Sequence, residues 1–284
     1  MMDDLIENEI IFKSVCNRKW KKASYDQSRS LLIEQKKGVE SIIAEMLSRR
    51  SLEYNDIDSF LEPKLRTSLP NPDIIKDMSV AVDTVYGAIK SKRKIAVFGD
   101  YDVDGATSSA VLKRFFRTIA VEVNIYIPDR VSEGYGPNIN AFKELREQGV
   151  EIIITVDCGT AAHAVIEEGR NLGLDIIVLD HHISESPVLP SANAIVNPNR
   201  IDDNSGLNNL AAVGVTFLFV VALSKKIANQ DLAVADNHSK KLLQLLDLVA
   251  LGTVCDVVPL TGLNRAFVRQ GLSIMSKTHN VGLK

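Results

Sequence analysis

The sequence predicts an α/β fold, a doubly wound and mostly parallel sheet flanked by helices, with a small helical cap at the N-terminus. Three observations predict it. From Lys94 onward, short β-branched apolar runs alternate with helical patterns, which is the signature of βαβ units around a sheet buried on both faces. The unusual polar residues fall directly after those runs, where the loops and helix N-termini of an open parallel sheet converge on ligands. Before Lys94 the patterns are shorter and helical, and Pro70-Asn71-Pro72 interrupts the chain.

In chain order, Val39, Ile42, Ile43, Met46 and Leu47 share one helical face and Ile57, Phe60 and Leu61 another, before Pro63. Residues 1–75 are therefore expected to form the cap and linker, and residues 76–284 the main domain. Strands are expected at 95–98, 121–127, 152–156, 176–179 and 194–196, with helices between them at 107–118, 140–147 and 161–172. Three more apolar helices are expected near 210–227, 240–251 and 263–275.

Composition narrows the class. With 284 residues, 45% hydrophobic and 24% charged, the chain matches ordinary globular proteins of one large or two modest domains. Cys16, Cys158 and Cys255 lie far apart and lack the paired spacing of a zinc site or disulfide framework, which favours a reducing compartment, by default the cytoplasm. Cys158 and Cys255 are read as small core residues. The start, Met1-Met2-Asp3-Asp4, is acidic where a signal peptide is basic, and the apolar stretch 210–223 is too short to cross a bilayer, so no membrane role is expected. A net charge of −3 argues against a uniformly basic nucleic-acid binder, but it includes carboxylate clusters that a bound cation would partly neutralise. The basic groups Arg18, Lys19, Lys21 and Lys22, and Lys90, Lys92, Arg93 and Lys94, read as solvated surface.

The chemistry is carried by the strand ends. After the first strand stand Asp100, Asp102 and Asp104 on alternate residues. Anions this close repel by ~1 kcal/mol per pair in water and more when desolvated, so the fold is expected to supply a cation. Asp129-Arg130 follows the second strand, Asp157 the third, Asp180-His181-His182 the fourth and Asn197-Pro198-Asn199 the fifth. Asp256 ends the apolar segment 248–255, where an unpaired carboxylate is costly. Aspartate and histidine without a cysteine cluster suit Mn²⁺ first and Mg²⁺ second. The carboxylates exceed the needs of one ion, which suggests two divalent metals and metal-assisted phosphoester hydrolysis. The first trio also fits half of an EF-hand calcium loop, but Val111 stands where its twelfth-position glutamate belongs, and a strand rather than a helix precedes it.

Four segments in order, Asp100-Tyr101-Asp102-Val103-Asp104-Gly105, Asp157, Asp180-His181-His182, and Gly252-Thr253-Val254-Cys255-Asp256 with the following Val257-Val258-Pro259-Leu260, resemble the motifs of the DHH phosphoesterases. More closely the chain resembles the RecJ-type single-strand-specific exonucleases, with support from Arg130-Val131-Ser132-Glu133-Gly134-Tyr135-Gly136, Asn197-Pro198, Trp20 and Phe60-Leu61-Glu62-Pro63. The resemblance implies a DHH phosphoesterase core acting as a metal-dependent 5′–3′ exonuclease on single-stranded DNA, in DNA repair and recombination. It implies one metal on Asp102 and Asp157 with help from Asp100, and a second on Asp104, Asp157, His181 and Asp256, with Asp157 bridging. Asp180 would orient the histidines, and His182 and Arg130 would face the scissile phosphate. Enzymes of this type continue into a linker and a second substrate domain (DHHA1-like), often followed by an OB-fold. Those domains are expected to be absent from this chain, so the expected partners are single-stranded DNA and a separately encoded C-terminal domain or repair proteins. Two alternatives stay open: a weakly active or non-catalytic DNA- or partner-binding remnant, and another DHH phosphoesterase such as an oligoribonuclease, nucleotide phosphatase or pyrophosphatase.

Overall fold

A computed structural model describes residues 10–50, 52–184, 186–230 and 241–284. The acidic start, Lys240 and His238 lie outside the described residues. The chain separates into two compact units, Met1–Glu62 and Pro63–Lys284.

In the first unit an antiparallel pair, β1 (Ile10–Lys13) and β2 (Lys19–Lys21), precedes α1 (Gln27–Lys37), α2 (Ser41–Ser48) and α3 (Ile57–Leu61). Asp26 caps α1 by accepting from the Arg29 N–H, and Gly38 ends it in the left-handed region at φ 62°. Ile33, Ala44, Leu47 and Ile57 form its small core. Three expectations are corrected here. The unit is not purely helical, because the segment around Trp20 pairs as a hairpin. Ile42 and Met46 face solvent, since α2 is apolar on most sides and its buried stripe runs through Ala44 and Leu47. The boundary expected after residue 75 falls before Pro63, because Leu65 of α4 (Leu65–Ser68), Leu69 and Ile75 join the main core.

The second unit is built on five parallel strands, β3 (Ile95–Gly99), β4 (Val123–Tyr126), β5 (Ile152–Val156), β6 (Asp175–Leu179) and β7 (Ala194–Val196), in the order β4-β3-β5-β6-β7. Strand alternation sorts the side chains to two faces. Ile95, Val97, Ile154, Val156, Ile177 and Leu179 enter a large core with α5 (Met78–Lys90), α6 (Val103–Thr118) and α9 (Ala212–Gln230). Ala96, Phe98, Ile153, Ile176 and Val178 enter a smaller one with Phe142 of α7 (Ile139–Glu147) and Ile166 of α8 (His163–Asn171). Helices thus cover both faces, as the doubly wound expectation requires, and every strand pair in this sheet is parallel.

The large core is completed by α10 (Leu246–Cys255) and α11 (Gly262–Met275). The 19-residue α9, with an 18-residue window of mean hydropathy 1.5, meets the length and composition of a membrane span, although the apolar stretch expected from the sequence is too short for one. Burial of 72% of that window accounts for its composition as a core helix. Cys158 is buried as expected, but Cys255 is exposed, because α10 emerges from the core after Thr253. Arg93 pairs with Asp175 at 2.8 Å, and Lys94 donates to the Gln148 carbonyl at 2.7 Å. That second basic group therefore lies at the starts of the strands, away from their carboxyl ends.

Candidate metal centre

The sheet register builds the site. Gly99 lies opposite Val156, Val156 opposite Leu179, and Leu179 opposite Val196. The next residue of each strand is therefore Asp100, Asp157, Asp180 and Asn197, in one row at the carboxyl edge with neighbours about 4.8 Å apart in strand spacing. The ladder extends into that row: the N–H groups of Asp100, Asp157 and Asp180 donate to Val156, Leu179 and Val196 at 3.3, 3.0 and 3.1 Å. Asp157 leaves its strand with φ 62°, a left-handed conformation unusual for a side chain larger than glycine.

Three further carboxylates arrive on helices. The helix expected from residue 107 begins at Val103, with Asp102 as its N-cap accepting from the Gly105 N–H at 3.0 Å. The Asp102 and Asp104 carboxylates thus sit at a helix N-terminus, where the backbone favours anions, instead of in the loop an EF-hand needs. The two carboxylate oxygens of Asp104 accept from the Ala212 and Val213 N–H groups at 2.7 and 2.9 Å, so the first turn of α9 points at the same carboxylate. Asp256 follows the last residue of α10.

These elements gather the expected ligands into three overlapping groups whose donor atoms lie within 4.8 Å of one another: Asp100, Asp102 and Asp157; Asp104, His181 and Asp256; and Asp157, His181 and His182. The His181 Nε2 atom stands 3.3 Å from Asp157 and 3.9 Å from Asp104, and its Nδ1 atom stands 3.7 Å from Asp256. Asp100, to which the resemblance gives only a helping role, is 3% exposed and belongs to a group.

The fit to a cation rests on atoms that nothing in the protein satisfies. Oδ1 of Asp100, Oδ1 of Asp157, Nε2 of His181 and Oδ2 of Asp256 are buried without a hydrogen-bond partner. Four such atoms converging in one place would each cost on the order of 1–3 kcal/mol if left unmatched. Burial pushes the Asp157 carboxyl up to about 10, with the Asp104, Asp102 and Asp180 charges adding to it. Burial raises Asp104 to about 6, and burial also raises Asp100 and Asp256. Oxygen donors held this close with one imidazole are a divalent-cation set.

Asp180 behaves differently. Burial pushes it up, but the hydrogen bonds from His182 and Thr160 outweigh that and hold it at about 2. An ionised carboxylate can only accept, so the His182 Nδ1 atom 2.8 Å from it carries the proton and Nε2 is left for other partners. The same bond raises the His182 pKa.

Arg130 stands with its guanidinium 5.1 Å over the Tyr101 ring, at the edge of the carboxylates. It and His182 oppose the dominant effect of burial on Asp100. Tyr101 and Tyr135 enter the sequence reading only as members of the segments that carry the resemblance, with no role of their own. The Tyr135 hydroxyl donates to the Asp157 carbonyl at 3.2 Å, and its ring meets Tyr101 and His182 edge-on. The placement of Tyr135 between two glycines, Gly134 and Gly136, was the available signal.

Two glycines allow the helices to come this close. A Cβ on Gly105 would lie 2.5 Å from the Asp100 carbonyl oxygen. One on Gly252 would overlap Thr107 Oγ1, and would lie 2.8 Å from Val213 Cγ1 and 3.1 Å from Asp104 Oδ1. Gly252→Ala is expected to push α10 off α6 and α9, costing about 1–3 kcal/mol of stability. Because α10 leads into Asp256, Mn²⁺ affinity should fall about tenfold with it, by about the 1.4 kcal/mol that a tenfold change represents. A melting curve with a parallel Mn²⁺ titration checks both.

Residues 94–253 match the model described as the DHH family, N-terminal domain. Over 266 residues the chain is 34% identical to the single-stranded-DNA-specific exonuclease RecJ of Bacillus subtilis (strain 168), covering 94% of this chain and 32% of that protein. It is 39% identical over 215 residues to RecJ of Escherichia coli (strain K12), covering 75% of this chain and 37% of that protein. The crystal structure of RecJ in complex with Mn²⁺ from Thermus thermophilus aligns with a TM-score of 0.68 at 28% identity, covering 91% of this chain and 35% of that one. The chain spans about a third of the length of the curated relatives it matches.

Proposed function

Because the chain belongs to the DHH family, we propose that it carries the catalytic centre of a metal-dependent exonuclease that hydrolyses single-stranded DNA from its 5′ end, serving DNA repair and recombination in the cytoplasm. The observation that carries this reading is the convergence of unsatisfied buried ligand atoms from Asp100, Asp157, His181 and Asp256 at the carboxyl edge of the parallel sheet. Asp104, Asp157, His181 and Asp256 would hold one divalent ion, and Asp100, Asp102 and Asp157 a second, with Mn²⁺ preferred and Mg²⁺ the next choice. Bound there, the ions would supply positive charge to a phosphoryl oxygen and lower the pKa of an attacking water.

The protein's own groups do the rest. Asp180 accepts from His182 Nδ1 and raises the pKa of the ring, which favours the doubly protonated imidazolium, whose Nε2–H can then donate to a phosphate or give its proton to a leaving oxygen. Arg130, on the loop after β4, offers a planar fork of donors suited to a phosphate. The loop carrying it is stiffened by Glu133, which accepts from Tyr126 at 2.6 Å, from the Asp129 N–H at 2.7 Å and from Asn138 at 3.0 Å. Single-stranded DNA is the proposed substrate, and domains or repair proteins outside this chain are proposed to hold its length.

The test is turnover by the folded chain with Mn²⁺ on 5′-labelled single-stranded DNA, beside short oligoribonucleotides, a nucleotide and pyrophosphate. Release of mononucleotides fastest from single-stranded DNA is expected. Preference for any of the other three would move the reading to another phosphoesterase, and DNA binding in chelator without turnover would favour the non-catalytic remnant.

A further inference from the structure

The two histidines of the Asp180-His181-His182 segment lie outside regular secondary structure, so no strand or helix ladder fixes their backbone. Side chains do it instead. The His181 and His182 N–H groups both donate to Asp180 Oδ1, at 2.8 and 3.2 Å. The two carbonyls are held from the other side by the loop after β7: Asn199 Nδ2 donates to the His181 carbonyl, and Asn197 Nδ2 donates to the His182 carbonyl at 2.9 Å. All four backbone polar groups of the pair are thus satisfied by side chains.

Asn197 is fully buried and makes two more bonds. Its Nδ2 also donates to Thr160 Oγ1 at 2.9 Å, and its Oδ1 accepts from the Asn199 N–H at 2.8 Å. Thr160 in turn donates its N–H to Asp180 Oδ2 at 3.0 Å. Asn197 is the fourth member of the strand-end row and offers no anionic ligand. What it contributes is a link between the Asp157 loop and the histidine loop, and Asn199 extends that link to the carbonyl of the one histidine that faces Asp104, Asp157 and Asp256.

We propose that Asn197 and Asn199 are positioning residues that set metal affinity by clamping the backbone of His181 and His182, an inference that rests on the two-metal reading of the site. Groups that orient a ligand from behind typically change metal affinity by about tenfold to a hundredfold when removed. A single bond to a partly buried backbone carbonyl contributes little to folding, so the two effects separate.

The deciding variant is Asn199→Ala, because Asn199 is only partly buried and its loss spares the core. Metal-free melting and a calorimetric Mn²⁺ titration are measured on the full chain as wild type, as Asn199→Ala, and as Asp175→Asn. Asp175 sits at the opposite end of β6, pairs with Arg93 and Arg170, and serves as the purely structural control. Asn199→Ala should melt within a few degrees of wild type yet bind Mn²⁺ at least about tenfold more weakly, and Asp175→Asn should melt lower with unchanged affinity. Asn197→Ala should lower both. Wild-type affinity in folded Asn199→Ala overturns the clamp alone. A wild-type chain that takes up no Mn²⁺ overturns the metal reading, and the clamp with it.

Discussion

Asp157→Ala is expected to reduce Mn²⁺-dependent hydrolysis by more than about a thousandfold, about 4 kcal/mol of barrier. No other change to a single side chain is expected to cost as much. Asp157 lies at the centre of the strand-end row, belongs to two of the three ligand groups, and has Oδ1 3.3 Å from His181 Nε2 with no hydrogen-bond partner. Removing it takes a donor from both proposed ions at once. The folding consequence has the opposite sign. Without a cation, Asp157 is a buried carboxyl held far above its ordinary range, first by desolvation and then by Asp104, Asp102 and Asp180, so it opposes folding when ionised. Asp157→Asn keeps the shape and tolerates the left-handed backbone at φ 62°. Its metal-free melting temperature should equal or exceed that of wild type while Mn²⁺ no longer raises it. A variant that melts far below wild type without metal would make Asp157 a structural residue.

The second large effect is a pH dependence of metal affinity. Burial and the neighbouring carboxylates push Asp157 in the folded metal-free chain from an ordinary 3.8 up to about 10, and burial pushes Asp104 up to about 6. Between those two values the folded chain carries a proton on Asp157 that the unfolded chain has lost. More protons bound in the folded state means that metal-free stability falls as pH rises through this window, by up to about 1.4 kcal/mol per pH unit. A cation must displace that proton, so Mn²⁺ affinity should climb as pH rises, by up to about tenfold per unit between about pH 6.5 and 8.5. Calorimetry in buffers of different ionisation enthalpy should detect about one proton released per chain above about pH 7. An affinity flat across this range would contradict the protonated carboxyl.

Much of the site was legible because strand patterns end in chemistry. The apolar runs closing at Phe98, Val156 and Leu179 predict three strand ends, and the parallel register then places Asp100, Asp157 and Asp180 side by side. The start of α6 was less legible: Asp102-Val103-Asp104-Gly105 has low helix propensity, and only the N-cap bond from Asp102 to Gly105 and the close approach to Asp100 explain a helix beginning at Val103. The dual hold of α9 on Asp104 could not be read at all, since the two lie 108 and 109 positions apart and meet through backbone N–H groups that carry no residue signature. Asn199 was legible as a polar residue after the fifth strand, but its hold on the His181 loop was hidden for the same reason, its acceptor being a main-chain carbonyl. In α2 the periodicity misled, because Ile42, Ile43, Met46 and Leu47 cover more than one face and tertiary packing chose among them.

The central claim is that the strand-end row and the ends of α6 and α10 bind two divalent ions that share Asp157. Mn²⁺ stoichiometry, measured by equilibrium dialysis with metal analysis on wild type and Asp157→Ala, tests it most directly. The account predicts two Mn²⁺ per wild-type chain and loss of both tight sites in the variant. One ion or none on the folded wild type, or two retained without Asp157, would contradict it.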